Sequence, residues 1–140
     1  MSQTRLRTAV AALALVGVAI AGYLTYVHYA GVSITCSTGG CETVQHSRYA
    51  EIFGVPVALL GLLAFVGILA SAIHGGIEGR AATISIALAG VAFAAYLLVV
   101  QLAVIGAVCD WCVASDAVTT LIAALALFAA REDVRRLHTR

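Results

Sequence analysis

Charge is what this sequence has least of. Only 11% of its 140 residues are Asp, Glu, Arg or Lys, and lysine is absent: all eight basic residues are arginines. A soluble domain carries about 25% charged and about 45–50% apolar residues; here 62% are hydrophobic and mean hydropathy is +1.03. Small folds bury the smallest share of their surface, so a soluble fold of this size has nowhere to hide that apolar area. A soluble globular protein is excluded, and with it a disordered chain and a nucleic-acid binder. A formal net charge of +1 leaves no large field to steer an anionic partner. Proline occurs once and the 13 glycines are scattered, which excludes collagenous and low-complexity chains. What remains is an integral membrane protein with four cysteines.

A helix crosses the hydrocarbon core in roughly 20 residues. Four stretches fit, at about 8–30, 53–74, 81–108 and 112–130. Pro56 falls in the first turn of the second, where a missing N–H costs least, and Asp116 in the first turn of the fourth. Small residues such as Gly17, Gly61, Gly90 and Ala124 recur along the spans and let helix backbones approach in lipid. Gly75 to Arg80 joins spans two and three, and Cys109-Asp110-Trp111-Cys112 nearly completes the next turn. Short turns make neighbours antiparallel. The expected fold is all-α: one membrane four-helix bundle, a lid loop at about 31–52, and a tail at about 131–140.

Orientation follows the arginines, which accumulate in short cytoplasmic segments. Arg5, Arg7, Arg80, Arg131, Arg135, Arg136 and Arg140 fall on one side of a four-span arrangement and Arg48 alone on the other. Both termini are therefore expected in the cytoplasm. Tyr23, Tyr26 and Tyr29 gather at the outer end of span one, as interfacial aromatics do. Arg5, Arg7, the apolar run and Ala19-Ile20-Ala21 also fit a cleavable signal peptide. The apolar run continues past Ala21, which favours an uncut anchor, and the cysteines face outward either way.

Cys36 and Cys41 lie in the lid, in Cys-Ser-Thr-Gly-Gly-Cys; Cys109 and Cys112 lie at the outer turn of spans three and four. The topology thus puts four thiols on one face, in an oxidising compartment. Two structural disulfides, a zinc site of four sulfurs, unpaired inert thiols and a redox relay all accommodate that layout. The relay has a specific physical basis. Cys112 at a helix N-terminus is placed where thiolate is favoured, with Asp110 and Asp116 opposing. Gly39-Gly40 lets the lid loop flex. A flexible, water-facing pair beside a fixed pair at the membrane edge can join an aqueous reductant to a lipid-soluble oxidant.

Two loop cysteines, then Ser47, then Phe53-Gly54-Val55-Pro56 opening a helix, then Cys-x-x-Cys starting the last helix resemble the vitamin K epoxide reductase family, bacterial branch. The resemblance runs from about Leu6 to Ala130. It implies a four-helix bundle around a quinone pocket in the bacterial cytoplasmic membrane. Cys36 and Cys41 correspond to a shuttle pair, with Cys41 the nucleophile toward Cys109. Cys109 and Cys112 correspond to the active-site pair. Ser47, Phe53 and Cys112 are the residues it places at the quinone, ubiquinone or menaquinone. Many bacterial members carry a fused thioredoxin-like domain. This sequence stops at Arg140, so the expected partner is a separate extracytoplasmic thioredoxin-like protein, and the outcome is disulfide formation in exported proteins. Asp116 stands where vertebrate relatives carry a tyrosine and Ala50 where they carry an asparagine. Both departures point to a respiratory quinone rather than vitamin K epoxide.

Other residues have simpler readings. Trp111 fits an interfacial anchor. His28 and His46 lie on the outer side, His74 and His138 toward the cytoplasm. Phe65, Phe93 and Tyr96 fit packing and lipid contact. Glu42, Arg48 and Glu51 fit a solvated lid face.

Overall fold

The computed structural model describes residues 2–140. Its long helices are α1 (Gln3–Ala30), α3 (Val57–His74), α4 (Gly76–Val99, continued as a π-helix over Val100–Ile105) and α5 (Asp110–His138). Between α1 and α3 lie a one-turn helix α2 (Cys41–Gln45), a 3-10 turn (Arg48–Ala50) and a hairpin of β1 (Glu51–Ile52) and β2 (Val55–Pro56). The hairpin is antiparallel, with Glu51 opposite Pro56 and Ile52 opposite Val55.

All four long helices are long and apolar enough to cross a membrane. The shortest, α3, spans about 27 Å at 1.5 Å per residue, close to the roughly 30 Å hydrocarbon core. Helix α1 packs against α3 and α5, and α4 packs against the same two, so the helices form a closed ring. Ala14, Phe65, Ile68, Ala87 and Ile122 fill its centre. Gly17 lies so close to the Phe65 ring that a β-carbon would collide with it, which is how a small residue brings α1 and α3 together. Leu63, Val66, Leu88, Val99, Leu121 and Phe128 point outward and are exposed, an apolar belt suited to lipid. The protein is a helical membrane bundle.

Several boundaries differ from the sequence expectation, each for a local reason. Helix α1 starts at Gln3 because Ser2 caps it, its hydroxyl accepting the Arg5 N–H at 3.3 Å. Helix α3 starts at Val57, not Phe53. Phe53 and Gly54 take φ of 51° and 79°, the two positive values a two-residue hairpin turn needs. Pro56 is therefore a strand residue and N-cap rather than part of the first helical turn. The connection expected at 75–80 shrinks to Gly75, whose φ of 70° with ψ of −158° lies open only to glycine. Helix α5 begins at Asp110, two residues before Cys112, and continues through the expected tail to His138. Asp116 consequently sits in its second turn.

The arginine-bearing end is stitched by side chains. Arg7 donates to the carbonyls of Ala72 (2.6 Å) and Ile73 (2.7 Å) at the end of α3, where a cation complements the unpaired carbonyls. Arg80 pairs with Asp133, which also accepts from Gln3 at 2.9 Å. The opposite end carries the cysteines.

Candidate active site

The four cysteines form two disulfides, each closed within its own sequence motif. Cys36–Cys41 has a Cα separation of 5.9 Å and Cys109–Cys112 one of 5.2 Å, both within the range a disulfide spans. Among the described residues no three His, Cys, Asp or Glu side chains converge as a metal site.

The pairs differ in exposure within themselves. Cys41 and Cys109 are fully buried, 0% exposed, and share one apolar cluster with Leu24, Val27, Ile34 and Val44. Cys36 and Cys112 are half-buried at the margin of that cluster. Cys36 is thus the more accessible member of the lid pair and Cys112 of the inner pair, with Cys41 and Cys109 between them in a common core.

The lid loop is strapped to the start of α5. Trp111 Nε1 donates to the Thr35 carbonyl at 2.8 Å, and the Thr38 hydroxyl donates to the Val108 carbonyl at 2.9 Å. An Asp110 carboxylate oxygen accepts the N–H groups of Ser37 (2.8 Å) and Thr38 (3.2 Å). Gly40 lies against the Val108 backbone so closely that a β-carbon would strike it. Gly40 is thus a close-approach position, and Gly39, with φ of 73° and open space around it, is the one that turns the chain. Tyr23 packs on Trp111 with ring centroids 5.0 Å apart, tying α1 to the same assembly. At the lid's far end His28 Nε2 and Glu51 Oε1 are 3.0 Å apart.

Cys109 is the N-cap of α5, its sulfur accepting the Cys112 N–H at 3.2 Å. Cys112 is therefore inside the first turn rather than at its start. The segment before Cys109 is held by Gln101, which is 2% exposed. Its side-chain oxygen accepts the Cys109 N–H at 2.8 Å, and its backbone carbonyl accepts from Gly106 (2.9 Å) and Ala107 (3.2 Å). The π-helical turn widens α4 at this point, as such turns often do near functional groups.

A cavity of about 460 Å³ lies beneath the lid, inside the helix ring. Its wall is mainly apolar, with Leu24, Phe65, Phe93 and Ile105 contributing, and Cys112 is part of it. Ser47, Gln45, Gln101 and Asp116 add polar atoms. The Gln45 amide donates to the Cys112 sulfur at 3.6 Å. Asp116 follows Cys112 by one helical turn, on the same face, and carries a buried carboxyl oxygen without a hydrogen-bond partner. The Ser47 hydroxyl donates to the Val44 carbonyl at 2.7 Å.

Of the residues expected at a quinone, Ser47 and Cys112 line this cavity, and Phe53 does not. Phe53 is at the hairpin tip and fully exposed, because its left-handed φ turns the chain away from the bundle. Gln45 and Gln101 are polar residues of the site that lie outside the cysteine motifs. A lone amide in the apolar stretch before Cys109 is itself a signal, since polar groups in a span are costly and retained for a reason. Gln45 offers no such signal in a polar loop.

The vitamin K epoxide reductase family profile matches residues 8–127. That match and the two closed cysteine pairs are consistent with a thiol oxidoreductase.

Proposed function

The chain belongs to the vitamin K epoxide reductase family, and on that premise we propose that it is a membrane thiol:quinone oxidoreductase that reoxidises a thioredoxin-like protein. The observation that carries this reading is the placement of Cys112. It lies in the wall of an apolar cavity, while its disulfide partner Cys109 is buried with Cys41.

The steps balance as two successive exchanges. A partner dithiol reduces Cys36–Cys41 and leaves oxidised. The Cys41 thiolate then attacks Cys109 Sγ, and Cys112 departs as the thiolate. Attack of Cys36 on Cys41 restores the lid disulfide and leaves Cys109 and Cys112 reduced. Each exchange proceeds through a mixed disulfide. The shared burial of Cys41 and Cys109 favours this order, since exchange needs contact between sulfurs and no solvent competes there. The straps from Asp110, Trp111 and Thr38 hold the lid loop in register with α5.

A quinone fits the cavity: a flat apolar ring suits the walls, and its carbonyl oxygens need donors. When bound it accepts two electrons and two protons and becomes the quinol. The chain's own groups would serve it there. The Gln45 amide orients Cys112 by donating to its sulfur, and the unpartnered Asp116 oxygen is a place to hold a proton. Ser47 lines the mouth from the lid.

The arginine-bearing end is assigned to the cytoplasm by the excess of seven arginines over one, so both termini are cytoplasmic and the cysteines face outward from the bacterial cytoplasmic membrane. The partner is then a separate extracytoplasmic thioredoxin-like protein, and the net effect is disulfide formation in exported proteins.

The deciding experiment follows quinone absorbance in purified protein given a reduced thioredoxin-like protein or a small dithiol. Quinone loss that depends on Cys112 supports the reading. Four sulfurs inert to both quinone and dithiol would leave two structural disulfides in its place.

A further inference from the structure

A second cavity, of about 330 Å³, lies at the opposite end of the bundle, with no part in the thiol chemistry. All four long helices contribute to it. Arg7 and Arg80 enter its wall, with Ser71 and Thr83, whose hydroxyls are 2.8 Å apart. Toward the bundle centre the wall is apolar: Val10, Leu125 and Ala126. It is therefore an amphipathic chamber, cationic at the rim and greasy at the floor.

We propose that this chamber binds one anionic phospholipid, its phosphate on Arg7 and Arg80 and part of an acyl chain against Val10, Leu125 and Ala126. Each guanidinium has five N–H donors. The bonds of Arg7 to Ala72 and Ile73 engage Nε and Nη2, with Nη1 against Gly75, where any side chain would displace it. Arg80 reaches Asp133 and Ala129 through Nη2. These bonds fix both planes and leave further donors for an anion. The surrounding charge agrees: seven arginines face only Glu78, Glu132 and Asp133 at this end. Basic pockets between helices at a membrane surface are suited to anionic head groups. A phosphate ion alone would fill only a small part of the chamber and leave its apolar floor bare, so a lipid is the better match. The inference is independent of the redox reading.

The test is the thermal unfolding of the full chain in detergent with added phosphatidylglycerol, phosphatidylcholine or inorganic phosphate. A ligand that binds only the folded state raises the midpoint, and phosphatidylglycerol is expected to do so by on the order of 5 °C. Phosphatidylcholine and inorganic phosphate should not. Arg7→Gln and Arg80→Gln should abolish the shift. Arg7 also caps α3, so Ala126→Leu is a second variant: it fills the floor, removes no charge and should abolish the shift in a protein that still folds. Arg136→Gln, exposed and away from the chamber, should keep it. An equal shift with phosphatidylcholine, a full shift with inorganic phosphate, or a shift that survives Ala126→Leu each overturns the proposal.

Discussion

The side chain of Gln101 accepts the backbone N–H of Cys109 at 2.8 Å, inside the protein and eight residues away along the chain. One buried amide thereby fixes the position of the residue that both caps α5 and holds the inner disulfide. Gln101→Leu leaves the Cys109 N–H buried without an acceptor, which costs about 1–3 kcal/mol. The unfolding midpoint should fall, and the Cys109–Cys112 disulfide should become easier to reduce. Both are measurable by thermal unfolding and by titration against a dithiol buffer.

Asp110 acts as a clasp between the two cysteine loops. Asp110→Ala removes the acceptor for Ser37 and Thr38 without touching any sulfur. Turnover of a protein dithiol should drop several-fold while oxidation of a small dithiol at Cys109–Cys112 is spared. Asp110→Asn, which keeps an acceptor oxygen, should recover part of the loss. Equal loss with both dithiols would show that Asp110 acts at the inner pair instead.

The two lid glycines should respond differently to alanine. At Gly40 a β-carbon meets the Val108 backbone, which cannot yield as a side chain can, so overpacking of about 1–3 kcal/mol is expected. At Gly39 the space is open and only the left-handed backbone is strained, at about 1–2 kcal/mol. Exchange between Cys41 and Cys109 should be slower in Gly40→Ala than in Gly39→Ala, as read by rapid-quench trapping of free thiols.

Division of labour among the cysteines is checked with two substrates. Cys112→Ser should abolish quinone reduction with either dithiol. Cys36→Ser should block the protein dithiol and spare some activity with the small one. Cys41→Ser, with Cys36 intact, should form a mixed disulfide when given the thioredoxin-like protein in its oxidised form, the Cys36 thiolate attacking the partner's disulfide and releasing one partner thiolate, and a reductant should dissolve the adduct. An adduct formed through Cys109 instead would mean that the lid pair is not a shuttle.

Exposure sets the order of labelling. After reduction, an impermeant thiol reagent on intact cells should reach half-buried Cys36 first, and Cys41 and Cys109, both fully buried, only slowly. Labelling confined to inverted vesicles would reverse the assigned orientation.

The sequence alone determined the class of protein, the number of spans and the gathering of Cys36, Cys41, Cys109 and Cys112 at one end. Those properties are one-dimensional: hydropathy over a membrane's thickness and the length of a connection are read along the chain. The positions where helices begin were less legible. They turned on Ser2 as a cap, on the positive φ of Phe53 and Gly54, and on the single glycine between α3 and α4. The interior of the site was decided by the tertiary structure. Gln45 meets Cys112 across 67 residues of sequence, and Thr38 meets Val108 across 70. Likewise, Cys41 and Cys109 become the buried members of their pairs only when the lid packs on the start of α5. Phe53, adjacent in sequence to residues that line the cavity, is carried away from it by a turn. Periodicity and composition describe which face of an element is apolar; which atoms meet across elements is fixed by packing, and packing is a property of the whole chain.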